Sequence, residues 1–346
     1  MAAGHLRNYL MHLGIWTPLP HTVRVEPEMA IAIEELSQQG KGGPTDRSLA
    51  VALAVVKKAE ALGFATTLIA ERHIGPDLEA WIMATAMAAE TNSIELMVAA
   101  HPGIIQPQLA AKMGASLDRI SGGRFSINVV NGWYQKEFEV FGNGTWLDRT
   151  EERYSRMGEF MQVLRGLWCE EGFDFDGDYF QLEDAVLPIK TLQTPSPPIY
   201  AASSAKQGME QVARHADVWF VGYEPGLDNA PGNIERIARD IEHMRALSAT
   251  FGRTLKFGIS AHVICAETRK EAIKLARALE AYGARDRISL VAAKALGAGL
   301  VGTADDIVER LAEMHRIGVD TPMLHFYPML DGLETFATEV MPRLPA

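Results

Sequence analysis

The chain is predicted to fold as a (β/α)8 barrel of the TIM type, an α/β class. Three observations carry this. Apolar runs of strand length recur eight times, at residues 10–16, 66–70, 95–100, 125–130, 198–202, 218–221, 257–265 and 322–327. Segments with apolar positions at helical spacing alternate with them, at 48–62, 79–91, 107–120, 151–168, 206–215, 233–251, 269–282 and 303–317, and 334–341 closes the chain. No long linker interrupts the series. Parallel strands need a crossover that covers the sheet, so alternation implies βαβ units. Eight such units in one uninterrupted chain of 346 residues point to a closed barrel rather than an open sheet.

Taken in order, the first three units are regular and the fourth is not. Ser121-Gly122-Gly123 is a turn, and Arg124 to Val130 alternates as a buried strand does. Asn131-Gly132-Trp133-Tyr134 then breaks the pattern with two large aromatics, followed by the charged run Gln135-Lys136-Glu137. The fifth strand runs through Ala202 into Ser203-Ser204, at the start of the helix predicted over 206–215. The seventh, FGISAHVIC, places Ser260, His262 and Ile264 on one face. A single domain over 1–346 is expected, with insertions near 142–150, 170–197 and 285–302. The second contains a hairpin-like FDFDGDYFQL, and the third is rich in Ala and Gly. In such a barrel the segments after strand C-termini build the active site, and long ones act as lids, which is the expectation for 285–302.

With 47% hydrophobic residues the chain can bury a large core without staples. The 44 acidic residues outweigh 33 basic ones, a formal charge of −11 spread along the length, which argues against nucleic acid or anionic membrane as partners. Cys169 and Cys265 are the two cysteines, too few for a disulfide framework, so a reducing compartment fits. No apolar run reaches the length of a spanning helix, and the first residues lack a signal-peptide build, so a soluble cytoplasmic protein is expected. The ten histidines are dispersed, with no H-E-x-x-H and no paired cysteine spacing, so no metal site is expected.

Asn128 is a polar side chain inside a buried strand, which is unfavourable unless the amide is hydrogen-bonded at both ends. A core amide satisfied by neighbouring backbone and a ligand-binding amide are both consistent with that. Glu152-Arg153-Tyr154 reads equally as the opening of an amphipathic helix, Glu71-Arg72-His73 as an ordinary surface, and His262 as a structural histidine.

The segments GRFSINVVNGWYQKEF, ERYSRMGEFMQVLRGLW, FDGDYFQLEDAVLPIKTLQTPSPPIYAASSA and YPMLDGLETFATEVMPRL together resemble the bacterial luciferase-like flavin monooxygenases, and the likeness runs over nearly the full length. Within that group they are most similar to two-component enzymes using reduced FMN, namely the dimethylsulfone, alkanesulfonate and pyrimidine-ring-opening monooxygenases. The resemblance implies that Asn128 binds the pyrimidine edge of the isoalloxazine, whose donors and acceptors suit a carboxamide. It places Glu137 as a second flavin contact, Trp133 as a wall of the site, and Ile69 and Ala70 beside the cofactor at the end of strand two. Arg153 and Tyr154 are implied contacts of the FMN phosphate and ribityl chain, completed by Ser203 and Ser204 at a helix N-terminus that attracts an anion. Relatives commonly have glycine where this chain has Ala-Ser-Ser-Ala, so close backbone approach falls to small side chains.

Arg72, His73, His262 and Tyr327 are the implied catalytic residues. Arg72 stands where luciferase has a histidine, which argues against activity on long aldehydes. Tyr327 suits a hydrogen bond to the peroxide or a substrate oxygen. The sulfonate enzymes carry an arginine two residues before the strand-seven histidine, where this chain has Ser260, and their arginine-bearing loop has no counterpart in SLVAAKALGAGLVG. A neutral substrate is therefore expected over a sulfonate. No G-x-G-x-x-G follows a strand, so the chain lacks a nicotinamide domain to reduce its own flavin. What the resemblance implies is a reduced-FMN-dependent monooxygenase of a two-component system. It would activate O2 as a peroxyflavin, take electrons from a separate NAD(P)H-dependent flavin reductase, and assemble as a homodimer or homotetramer. A sulfone or related organosulfur substrate in sulfur metabolism is favoured. A pyrimidine or cyclic amide, a deazaflavin-dependent oxidoreductase and a non-catalytic flavin-binding homologue are the alternatives.

Overall fold

The computed structural model describes residues 11–21, 46–283 and 295–345. In chain order its elements are β1 (Gly14–Trp16), α1 (Ser48–Leu62), β2 (Thr66–Ile69), α2 (Ala80–Glu90), β3 (Glu95–Ala100), α3 (Pro107–Ser121), β4 (Phe125–Val129), α4 (Gln135–Val140), α5 (Thr150–Cys169), β5 (Phe173–Asp176) and β6 (Gln181–Ala185). There follow β7 (Ile199–Ala202), α6 (Lys206–His215), β8 (Val218–Phe220), α7 (Ala230–Thr250), β9 (Lys256–Cys265), α8 (Arg269–Gly283), β10 (Val301–Gly302), α9 (Ala304–Ile317), β11 (Thr321–Phe326) and α10 (Met329–Thr335). This is the alternation of a (β/α)8 barrel, with β5, β6 and β10 added to the basic set.

The chain divides into two compact units. One comprises residues up to Leu68, then Tyr223–Ile241 and Phe257 onward. Its strands run parallel in the order β10-β9-β11-β1-β2. Gly14 is in register with Met323 and Ile15 with Leu324, while His325 of β11 faces His262 of β9. The other comprises Ile69–Gly222 and Glu242–Lys256, with parallel strands in the order β3-β4-β7-β8. Here Asn128 sits in register between Ala99 and Tyr200. All residues of β4 and of β11 are buried, as expected for parallel strands covered on both faces.

Local chemistry sets several boundaries. Gly63 ends α1 at φ 92, a left-handed conformation glycine adopts without penalty, and its N–H closes on the carbonyls of Ala59 and Glu60. Pro107 opens α3, where a missing N–H costs nothing. Thr303 and Asp306 form a reciprocal capping box at α9. In the second unit α5 buries Met157, Phe160, Met161, Leu164 and Trp168. The Trp168 indole donates to Ala111 O of α3 at 2.9 Å. Arg124, just before β4, fans its guanidinium onto the carbonyls of Ala88, Thr91, Ile94 and Ser121 at 2.7–3.1 Å and onto Thr91 Oγ1 at 2.9 Å. Asp118, fully buried, accepts from the backbone N–H groups of Leu192 and Gln193 and from the Gln193 amide, and so anchors the end of the 170–197 insertion.

Some expectations shift. The first strand is shorter than 10–16, and residue 10 lies outside the described part. A short helix, α4, occupies the charged run after the aromatic break. The closing helix begins at Met329 rather than 334, widens to a π turn at Phe336–Val340 and then tightens into a 3-10 turn at Met341–Arg343, where Pro342 supplies no donor. The hairpin in the second insertion is present as antiparallel β5–β6. Of the lid expectation, 285–294 lie outside the described residues. Ala295–Ala298 form a buried 3-10 turn, and Val301–Gly302 pair with Ile264 and Cys265. Among the described residues no helix is long and apolar enough to cross a membrane.

Candidate active site

The second unit gathers most of the residues singled out in the sequence. Gly132 turns the chain out of β4 at φ 76, and a Cβ there would stand 2.2 Å from the Phe138 ring. Gly132→Ala is accordingly expected to lower stability by about 1–3 kcal/mol, from left-handed strain plus overpacking; a thermal melt unchanged within error would refute this. Beyond the turn Trp133 and Tyr134 remain 60% and 39% exposed. The Arg72 guanidinium lies 4.5 Å from the Trp133 ring centroid and 5.0 Å from that of Tyr134, within cation–π range. Its Nη1 is 3.4 Å from Glu137 Oε1, and both side chains are buried. Glu137 Oε1 also accepts the Ile74 N–H at 3.3 Å. The carboxylate expected at the cofactor is thus engaged with the loop after β2, where Ile69 is fully buried and Ala70 half-buried.

Glu71 and His73 of the same loop line up with His101, just past β3, as an acid–imidazole–imidazole row. His73 Nδ1 is 3.8 Å from Glu71 Oε1, and His73 Nε2 is 3.3 Å from His101 Nδ1. Burial, and then the Arg72 charge, hold His73 down to about 4. Burial, then His73 and Arg72, hold His101 down to about 3. Both rings are neutral near pH 7. Burial raises Glu71 to about 7, although it accepts the backbone N–H groups of Ala80 and Arg72. At neutral pH the set therefore holds two uncharged imidazoles beside a carboxyl group whose burial favours its protonated form.

Asn128 is 9% exposed, and its Oδ1 is buried with no hydrogen-bond partner. The bland reading of a satisfied core amide therefore fails for that atom. Further along, Tyr154 and Ser203 meet: a Cβ on Gly208 would stand 2.1 Å from Ser203 Oγ and 2.4 Å from the Tyr154 ring. Ser203 Oγ accepts the Ala205 N–H at 3.1 Å, and Ser204 is exposed. No side chain caps the start of α6, whose first N–H groups are left for another acceptor. Arg153 is not directed there. Its Nη1 donates to Leu147 O at 2.5 Å and Asp148 O at 3.2 Å, its Nη2 to Thr150 Oγ1, and its guanidinium covers Trp146. Arg156 is buried, with Nε and Nη2 lacking partners.

In the first unit, neighbouring registers of β9, β11 and β1 align three rings. His262 stacks on His325 at 4.6 Å and 3°, and His325 on Trp16 at 4.5 Å and 25°. Burial pushes His262 down to about 3 and His325 well below the usual imidazole range. Trp16 Nε1 and His262 Nδ1 are buried without hydrogen-bond partners. Tyr327 packs against the apolar cluster of Ile264, Ala272, Leu279, Leu296 and Val301. Sequence reasoning missed His101, Trp16, His325 and Arg156. The available signal for the first three was position: each lies at or just past the C-terminal end of its strand.

Among the described residues no group of histidine, cysteine and acidic side chains could hold a metal ion. A family model described as luciferase-like monooxygenase matches residues 29–321. The chain belongs to the luciferase-like monooxygenase family. Among curated relatives, an FMNH2-dependent dimethylsulfone monooxygenase of Pseudomonas putida is 30% identical over 286 residues, covering 74% of this luciferase-like monooxygenase and 76% of the relative. The solved structure of an EDTA monooxygenase from Chelativorans sp. BNC1 superposes with a TM-score of 0.74 at 18% identity, over 96% of this chain and 92% of that one. The oxygenating component of a Baeyer–Villiger 3,6-diketocamphane monooxygenase from Pseudomonas putida, in complex with FMN, gives 0.67 at 18% identity over 96% and 98%. At these identities the structural likenesses bear on the fold, and they agree with the (β/α)8 barrel.

Proposed function

We propose that this luciferase-like monooxygenase binds reduced FMN delivered by a separate NAD(P)H-dependent reductase and, with O2 as co-substrate, oxygenates a small organosulfur compound, a sulfone above all. The observation that carries the cofactor is the orphaned Asn128 Oδ1, a buried acceptor awaiting a donor such as a flavin ring N–H. The Tyr154–Ser203 meeting at the uncapped start of α6 fits a phosphate monoester, bound by backbone N–H groups and two hydroxyls. In this reading Asn128 orients the ring, Trp133 walls it, and Tyr154, Ser203 and Ser204 hold the phosphate. Arg153 supports the 146–150 loop by which α5 begins. Bound reduced FMN supplies two electrons to O2, so that one oxygen atom enters the substrate and the other leaves as water.

The chain's own residues then position, exclude water and move protons. His73, neutral and hydrogen-bonded to His101, accepts or returns a proton at its Nδ1 side, with Glu71 as the reservoir. His262 is assigned to hydrogen-bonding the substrate, and Tyr327 to a supporting place at the end of β11. The dimethylsulfone relative supports a sulfone, and Ser260 in place of a cation supports neutrality of the substrate.

The cofactor assignment predicts that Asn128→Leu lowers reduced-FMN affinity about tenfold, or ~1.4 kcal/mol, by removing one buried hydrogen bond. Anaerobic titration of the folded variant measures it, and wild-type affinity would remove Asn128 from the site. The reaction itself is tested by supplying reduced FMN from a generic reductase under air and screening sulfones, sulfonates and cyclic amides. Oxygenation confined to cyclic amides would replace the sulfone assignment.

A further inference from the structure

Arg72 is a cation at the mouth of a strand for which the reaction above provides no anionic partner in the substrate. The structure supplies one from the chain itself. Glu137 lies 3.4 Å from Arg72 Nη1, with both residues more than nine-tenths buried, and the guanidinium carbon stands 4.5 and 5.0 Å from the Trp133 and Tyr134 ring centroids. Within the pair the net charge is zero. The guanidinium nevertheless keeps a donor: Arg72 Nε is buried and has no hydrogen-bond partner.

A neutralised arginine distinguishes acceptors by charge. A sulfonyl or carbonyl oxygen can take an N–H donor while bringing no charge that must lose its water. A sulfonate brings a full charge into the same place, finds the cation already paired, and meets the Glu137 carboxylate as a like charge. We propose that the Arg72–Glu137 pair is a specificity device that selects neutral, hydrogen-bond-accepting substrates and rejects anionic ones of the same size. The proposal rests on the monooxygenase reading above and names the substrate class for it. Arg72 is thereby removed as a replacement for the cation absent at Ser260.

The test changes each charge separately. Glu137→Gln keeps an oxygen for the Ile74 N–H but unmasks the guanidinium, and Arg72→Gln leaves the carboxylate alone. Binding of diethyl sulfone and of ethanesulfonate to the full chain is measured calorimetrically, beside kcat/KM for both with reduced FMN. The wild type is expected to favour the sulfone at least tenfold. Glu137→Gln should shift the sulfone-to-sulfonate ratio toward sulfonate by about tenfold or more, and Arg72→Gln should shift it the other way. Because each is a ratio within one variant, a general loss of activity or of FMN affinity cancels. Ratios unmoved in both variants, or moved in the same direction, overturn the proposal, as does a wild type that binds ethanesulfonate as well as the sulfone or binds neither. Opposite shifts in binding with no turnover of either compound would uphold the pair and overturn the organosulfur reading of the substrate.

Discussion

Acidification from pH 6.5 to about 4 is expected to remove on the order of 5 kcal/mol of stability, enough to unfold a domain of ordinary stability. Burial holds His101 and His262 down to about 3 and His73 and His215 down to about 4, all below the ordinary 6.5. In that window the unfolded chain binds protons that the folded chain refuses. The stability these neutral histidines confer is therefore complete above pH 6.5 and lost as pH falls toward their folded values. One pKa unit corresponds to about 1.4 kcal/mol, and the total is discounted because His73 and His215 are not fully buried. Glu71 works in the opposite sense. Its folded value of about 7 exceeds the ordinary 4.5, so its contribution is present below 4.5 and lost as pH rises to 7. His325, held well below the usual range, adds to the four, and one such group against five leaves acid destabilisation as the net outcome. Urea midpoints at pH 7, 6, 5 and 4.5 measure it, and His101→Asn should flatten the curve. A midpoint independent of pH over this range would contradict the burial of these rings as neutral groups.

Arg124→Met is expected to lower stability by about 3–5 kcal/mol, since it takes a charged donor from four backbone carbonyls and one hydroxyl at once. Methionine retains much of the aliphatic packing, so the loss reports the polar fan rather than a cavity. The carbonyls belong to the ends of α2 and α3 and to the approach to β3, so their joint release should also weaken protection of amides there. Equilibrium urea unfolding gives the magnitude. A change under 1 kcal/mol would mean that water replaces the guanidinium without penalty.

The barrel was legible because its signal is periodic. Helices over 48–62 and 206–215 were bounded to the residue, and strand four was recognised from its alternation alone. Asn128 was legible for the same reason, as a polar residue in a run meant for burial. The Arg72–Glu137 pair was not, because Arg72 lies in an irregular loop and Glu137 on the short helix α4, and their approach depends on how the chain turns at Gly132. The Trp16–His325–His262 row needed the registers of three strands, which no single stretch encodes. Arg153 is a different case: the resemblance assigns it to a phosphate, and its donors here reach the Leu147 and Asp148 carbonyls and Thr150 Oγ1, contacts that no sequence pattern announces. The short helix α4 escaped notice because six residues are too few for a period to declare itself.

The three aligned rings also bear on how the first unit avoids misassembly. Strands β9, β11 and β1 are short or rich in apolar residues on both faces, so hydrophobic pattern alone discriminates poorly between one pairing and its neighbour. A slip of one residue between β11 and β9 would exchange His325 for Leu324 or Phe326 in the row and turn an imidazole toward the apolar side, where Phe326 now packs on Phe64 and Phe336. The stacked row thus serves as an alignment mark. It makes the offset pairings expensive while the correct one is forming, whatever the rings later do for a ligand.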